Sequence, residues 1–169
     1  MPERKHTPLS HAELQRVLSY SPDVGVWRRR VPCGGNKVGD VAGRVDPDGR
    51  TRIKINGRTY SAYRLAWFYM TGEWPPNQVD HKDGDPSNDR WDNLRLATQS
   101  QNKCNGPRQR NNKSGYKGVS FKMDMGKWRA AIKANGKYHH LGYFCSPSLA
   151  HLKYRLAAVK YHGEFRRAV

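Results

Sequence analysis

The run VDHKDGDPSNDRWDNLRLATQSQNKCN, Val79 to Asn105, leaves the backbone few choices. Gln78 to His81 reads as a short strand ending on two polar side chains, and Asp83-Gly84-Asp85-Pro86 is turn chemistry that reverses the chain. Leu94 to Ala97 is then the returning strand. Thr98 followed three residues later by Gln101 is a capping box, which starts a helix at Thr98 and sets Asn102 in its first turns. The order is strand, strand, helix. Asp80 and His81 end the first strand, Asn93 precedes the second, and Asn102 rides on the helix. An EF-hand reading of Asp83 to Asn88 fails, because the sixth position is Asn88 rather than Gly and no Glu closes the loop.

Asn93 stands twelve positions after His81, and Asn102 nine after that, in the order DH…NLR…N. With these residues in this arrangement, the stretch resembles the HNH nuclease family and its ββα-metal fold. From Leu18 to Asn105, including RLAWFYMTGEWPP ahead of the Asp-His pair, the chain resembles phage-type HNH endonucleases. The resemblance implies that His81 is the general base that activates a water against a DNA phosphate, with Asn93 orienting the imidazole. It implies also that Asp80 and Asn102 bind one divalent cation. The third family position is often His, and here it is Asn102. An oxygen ligand beside a carboxylate favours a hard ion, which ranks Mg²⁺ first, then Mn²⁺, with Zn²⁺ last.

The 169 residues suit one domain or two small ones, and two small cores fit best. Lys and Arg number 31 against 14 Asp and Glu, a formal net charge of +17, which calls for a polyanionic partner: nucleic acid, or in competition with it a membrane surface. Fourteen of the basic and two of the acidic residues lie from Arg108 onward, so +12 of the charge sits in the last third. No apolar run approaches a membrane span, and the start MPERKHTPLS lacks the apolar core of a signal peptide. The expectation is a cytoplasmic protein with no membrane partner, in the host cytoplasm if phage-encoded. Cys33, Cys104 and Cys145 are widely spaced and form no C-x-x-C pair, so they read as reduced thiols.

After a loose start, Ser10 to Tyr20 reads as a short helix with Ser10 as N-cap and Leu14, Val17 and Leu18 on one face. Gly25 to Arg30 is a strand anchored by Trp27, followed by turn-rich loops around short strands up to Gly49. Arg50 to Ile55 and Arg58 to Tyr63, split by Asn56-Gly57, form the strongest hairpin signal, since Asn-Gly readily takes the positive φ angles of a type I′ turn. Ala62, Leu65, Ala66 and Tyr69 recur at helical spacing, with Trp67, Phe68 and Met70 making that helix apolar nearly all round. It should be the core of the first domain. Gly72 is its C-terminal cap, and Pro75-Pro76 a stiff lead into the Asp80-His81 strand.

Asn105 to Ser114 is basic and aperiodic, a linker able to follow DNA phosphates. Beyond it Gly118 to Phe121, Lys127 to Lys133 and Lys137 to Gly142 read as an antiparallel meander, turning at Asp124 to Gly126 and at Asn135-Gly136. Ser146-Pro147 caps a helix to about His162, with Leu149, Leu152, Leu156 and Val159 expected to face the sheet and Gly163 to end it. Trp128, Phe121 and Leu141 are assigned to the core. The pattern YKGV…GKWRAAI…HLGYF…AAVKYHGEF is similar to the plant ethylene-response-factor (Apetala) type of DNA-binding domain, in which the sheet enters the major groove. The resemblance implies contact positions at Lys117, Ser120, Lys122, Lys127, Arg129, Lys133, Tyr138 and His140. Ser120, Tyr138 and His140 stand where that family commonly has Arg or Trp, so its target motif does not transfer.

The expectation is thus an α+β chain: an HNH endonuclease domain over residues 1–105 with its ββα-metal core at about 78–105, a basic linker at 106–114, and a three-stranded antiparallel sheet packed on one helix over 115–169. The substrate implied is double-stranded DNA, cut to leave 5′-phosphate and 3′-hydroxyl ends by a phage homing-type enzyme. With one constellation and one reading domain, a monomer that nicks one strand is the simplest arrangement. The rivals are a sequence-specific DNA-binding protein with an inactive HNH element, and an RNA-directed nuclease or binder. Single-strand RNA readers expose aromatic pairs that this second domain lacks.

Overall fold

The computed structural model describes residues 8–108, 110–134 and 136–166. Two compact units divide the chain. One comprises the described residues up to His81 together with Asp85–Leu96, and the other comprises Lys82–Gly84 and the described residues from Ala97 onward. The boundary read from the sequence lies at 105, whereas Lys82–Gly84 and residues 97–105, which include the helix that carries Asn102, fall in the second unit.

The first unit begins with α1 (His11–Val17), whose N-cap Ser10 accepts a hydrogen bond from the Glu13 backbone N–H. The helix does not reach Tyr20. Leu18–Ser21 is instead strand β1, paired antiparallel with β2 (Val26–Arg29). The reason is burial with a period of two: Leu18 and Tyr20 both point into the core while Ser19 and Ser21 do not, a pattern that a strand satisfies and a helix cannot. The Tyr20 ring then lies 4.8 Å from that of Trp27. Strands β3 (Arg44–Val45), β4 (Thr51–Ile55) and β5 (Arg58–Ser61) form an antiparallel sheet in that order. Its tight turn holds Asn56 and Gly57 at φ 48° and 82°, the positive angles expected of the Asn-Gly pair.

Helix α2 (Ala62–Thr71) follows β5 directly and ends at Gly72, which adopts φ 78° and returns its N–H to the Phe68 carbonyl. Ala62, Leu65, Ala66 and Phe68 are buried, and Tyr69 packs against the same core, its ring 5.5 Å from that of Trp27. They join Leu14, Leu18, Trp27, Ile53, Val79 and Leu94 in one core. Val79 belongs to β6 (Gln78–His81) and Leu94 to β7 (Leu94–Ala97), which pair as a two-stranded sheet. Each of these side chains contributes about 1.5–3 kcal/mol by leaving water. The two strands that bear Asp80 and Arg95 are therefore pinned to the core by their neighbours in sequence.

The second unit contains α3 (Gln99–Asn105), whose Thr98–Gln101 capping box forms in both directions. Strands β8 (Val119–Lys122), β9 (Lys127–Ala134) and β10 (Lys137–Phe144) make an antiparallel sheet of order β10-β9-β8. Asn135 of the expected Asn-Gly turn, like the loose start at residues 1–7, lies outside the described residues. The far end of the stretch read as a linker is tied to this unit: the Asn112 amide donates to the Tyr116 carbonyl at 2.8 Å, and the Ser114 hydroxyl to the Val119 carbonyl at 2.9 Å.

Helix α4 (Pro147–His162) packs on the sheet, starting as read with Ser146 accepting from the Leu149 N–H. Its orientation corrects the sequence expectation. Ala150, Tyr154 and Ala158 face the sheet, while Leu149, Leu152, Leu156 and Val159 are 54–61% exposed. Both stripes have helical spacing, so periodicity alone does not choose between them. Close approach does: Ala130 and Ala150 are fully buried against each other's cluster, and a Cβ on Gly118 would meet the Tyr154 ring at 2.0 Å, a gap that leaves no room for leucines. Trp128 and Leu141 pack at the edge of this core, whereas Phe121 is 43% exposed and meets Trp128 edge-on.

Candidate active site

The end of β6 places Asp80 and His81 side by side, both under a tenth exposed. Arg95, one residue into β7, reaches back to Asp80 with its Nε and Nη2 at 2.9 and 2.8 Å from Oδ2. Both side chains are nearly buried, so the pair is screened little by water. The His81 imidazole is fixed on two sides. The Tyr63 ring of α2 meets it edge-on at 5.3 Å, and its Nε2 lies 2.8 Å from Oδ1 of Asp89.

Asp89 is 3% exposed and lies in the loop between β6 and β7. Burial pushes its carboxyl above the usual carboxylate range, against the lowering pull of the His81 hydrogen bond. The loop is held from the β1–β2 hairpin. The Tyr20 hydroxyl donates to the Asp89 carbonyl, and the Trp91 N–H donates to the Pro22 carbonyl at 3.0 Å. Burial raises the Tyr20 phenol far above its ordinary pKa, so it remains a donor. Gly25, at φ 71°, approaches so closely that a Cβ there would meet the backbone of Asp89 and Arg90 at 2.6 Å. Asn93 closes the turn Trp91–Asn93, is buried, and donates from Nδ2 to the Asn88 carbonyl at 2.8 Å. It thereby braces the loop that presents Asp89. Asp80, His81 and Asn93 belong to the first unit, and Asn102, half-buried on α3, belongs to the second.

Sequence reasoning passed over Asp89, Arg95, Tyr63 and Tyr20. Asp89 sits in a polar turn where an Asp is expected for local reasons, and nothing in its spacing marks it as the partner of a residue eight positions back. Arg95 lies within the NLR string but was not assigned a partner.

In the second unit the register fixes which side chains share the sheet face opposite α4. Ser120 pairs with Arg129 and Lys122 with Lys127, while Tyr138 pairs with Lys133, His140 with Ala131 and Tyr143 with Arg129. Seven of the eight positions read as contacts, namely Ser120, Lys122, Lys127, Arg129, Lys133, Tyr138 and His140, therefore share that face. The Lys133 ammonium lies 5.1 Å from the Tyr138 ring centre, and Tyr143, not singled out in the sequence, packs at 4.6 Å on His140. Lys117 is placed differently: it precedes β8, and its Nζ donates to the Cys104 and Gly106 carbonyls at 2.6 and 2.5 Å, capping the C-terminus of α3. Among the described residues no helix is long and apolar enough to cross a membrane, and the three cysteines are free thiols.

Residues 60–104 match the family model of the HNH endonucleases, so the segment that carries Asp80, His81, Asn93 and Asn102 is an HNH endonuclease element. Protein 3.8 of Escherichia phage T7 is 40% identical over 76 residues, which is 44% of this chain and 63% of that protein. The chain thus spans less than two thirds of that relative's length. A solved structure reporting DNA binding and cleavage by the HNH homing endonuclease I-HmuI aligns with 49% of this chain and 47% of its own, at 28% identity and a TM-score of 0.38.

Proposed function

We propose that the chain is a metal-dependent endonuclease that hydrolyses phosphodiester bonds in double-stranded DNA, and that its second unit reads the duplex through its open sheet face in the manner of ethylene-response-factor domains. The observation that carries this reading is the buried, hydrogen-bonded imidazole of His81 beside Asp80 inside the HNH-matching segment. His81 takes a proton from water, the water oxygen bonds to phosphorus, and the P–O3′ bond breaks. The leaving oxygen is protonated to a 3′-hydroxyl, and the phosphate stays on the 5′ end.

Among the described residues no three His, Cys, Asp or Glu side chains converge as a metal cluster. The ligands proposed for the cation are the Asp80 carboxylate, which is paired with Arg95, and the Asn102 amide oxygen, with water and phosphate oxygens to complete the shell. Such all-oxygen ligation suits Mg²⁺, then Mn²⁺. When bound, the cation stabilises the charge that builds on the phosphate and the departing oxygen. In the second unit, Lys122, Lys127, Arg129 and Lys133 supply phosphate contacts on one face, with Ser120, Tyr138 and His140 beside them. We assign the chain to the phage homing type, acting as a monomer that nicks one strand.

A second reading has one observation in its favour: the Asp80–Arg95 ion pair is also what an inert, purely structural element would use. Incubation of the full chain with supercoiled plasmid, and separately with RNA, in Mg²⁺ or in EDTA separates them. The nuclease reading expects nicked circles in Mg²⁺, linear DNA only later, no cutting in EDTA and intact RNA. Plasmid retarded on a gel but never cut would establish the DNA-binding reading instead.

A further inference from the structure

The HNH element accounts for Asp80, His81, Asn93 and Asn102, but it leaves a buried carboxylate aimed at the imidazole with no assigned task. We infer that Asp89 is the positioning residue of this site: it holds His81 as the Nε2–H tautomer, so that the lone pair used for proton transfer lies on Nδ1. The inference rests on the reading of His81 as the base.

A neutral imidazole has one N–H and one lone pair, and which nitrogen carries the proton is decided by the partner each one meets. A carboxylate only accepts. With Asp89 Oδ1 2.8 Å from Nε2, that nitrogen donates, and Nδ1 becomes the basic atom. Both side chains are buried, at 9% and 3% exposed, so water competes poorly for either end of the bond. Asp89 itself cannot drift. Its carbonyl receives the Tyr20 hydroxyl, the Gly25 backbone is packed against its main chain, and the Trp91 N–H two residues on is tied to Pro22. The β1–β2 hairpin, far from the HNH element in sequence, thus acts as the clamp that aims the base. When His81 takes the proton of the attacking water, the resulting imidazolium lies against the Asp89 carboxylate, which stabilises it without accepting its proton.

The test uses the full chain. Long-range proton–nitrogen correlation spectra of ¹⁵N-histidine-labelled protein report which ring nitrogen of each histidine carries the proton, and the His81 signal is assigned by its loss in His81→Gln. The expected result is Nε2–H for His81; a dominant Nδ1–H form would overturn the inference. Asp89→Asn keeps the shape but can present an amide N–H to the ring. It should shift His81 toward Nδ1–H and slow plasmid cutting by about 10²-fold, with DNA affinity changed less than about 2-fold. Cutting at the wild-type rate by a folded Asp89→Asn variant would equally overturn it. If that variant does not fold, the wild-type spectrum decides. If the wild type itself never cuts DNA, the nuclease reading falls, while the tautomer still reports whether Asp89 holds the ring.

Discussion

Gly118→Ala should loosen the second unit more than any other single methyl group added to it. Gly118 sits at φ +75°, where an L side chain costs about 1–2 kcal/mol. The added Cβ would meet Cδ2, Cε2 and Cγ of Tyr154 at 2.0, 2.3 and 2.8 Å, well inside any tolerated contact. Tyr154 is 8% exposed and packs with Ile132 and Ala158, contacts that a displaced ring would lose. Forcing it aside costs about 1–3 kcal/mol more. The sum, about 2–5 kcal/mol, is a large part of what a small folded unit possesses. Hydrogen exchange of the Ala131 amide, which donates to the Gly118 carbonyl at 2.9 Å, reads the loss directly. It should accelerate by roughly 30-fold to several thousand-fold, at 1.36 kcal/mol per decade. Gly115→Ala is the control, because Gly115 has φ +78° but nothing within 4 Å of an added Cβ. It should show the strain alone, roughly 5- to 30-fold. Equal acceleration in the two variants would refute the claimed packing of Tyr154 on Gly118.

Lys117→Met should speed amide exchange in α3 by about 5- to 30-fold while lowering DNA affinity less than Arg129→Ala does, since Lys117 caps the α3 carbonyls and Arg129 lies on the open sheet face; the opposite order in a salt-matched binding titration would restore Lys117 as a DNA contact. On α4, Leu152→Ser should change the melting temperature little, and Ala158→Leu should destabilise by about 1–3 kcal/mol, in thermal scans of the full chain. Tyr154 supplies a pH test. Burial pushes its phenol up to about 12 from 10.0, so the folded form keeps a proton that the unfolded form loses. The associated stability is complete below about pH 10 and disappears as pH rises toward 12, and Tyr154→Phe should remove that component of alkaline unfolding.

The HNH element was legible because its geometry is written locally. Turn residues, a capping box and two polar side chains at a strand end lie within one short stretch, and each of these features forms where the sequence puts it. The Asn-Gly hairpin of β4 and β5 and the Gly72 cap were legible for the same reason. What escaped depended on distance in sequence. The β1 strand looked helical because Leu14, Val17 and Leu18 have helical spacing, and only the pairing with β2 and the Trp27 contact show why Leu18 leaves the helix. Asp89 escaped because its partner and its clamp, His81 and Tyr20, come from separate elements. The α4 face is not legible in the sequence because bulk does not decide burial there: Ala130 on the sheet and Gly118 just ahead of β8 admit alanines more closely than leucines.

The central claim is that His81 does chemistry on DNA and does not merely fill the site. Single-turnover cutting of supercoiled plasmid by wild type and His81→Ala, with DNA affinity measured in parallel under the same salt and Mg²⁺, tests it most directly. The account predicts that cutting falls by at least about 10²-fold while affinity changes less than about 2-fold. Cutting by His81→Ala at the wild-type rate would contradict it.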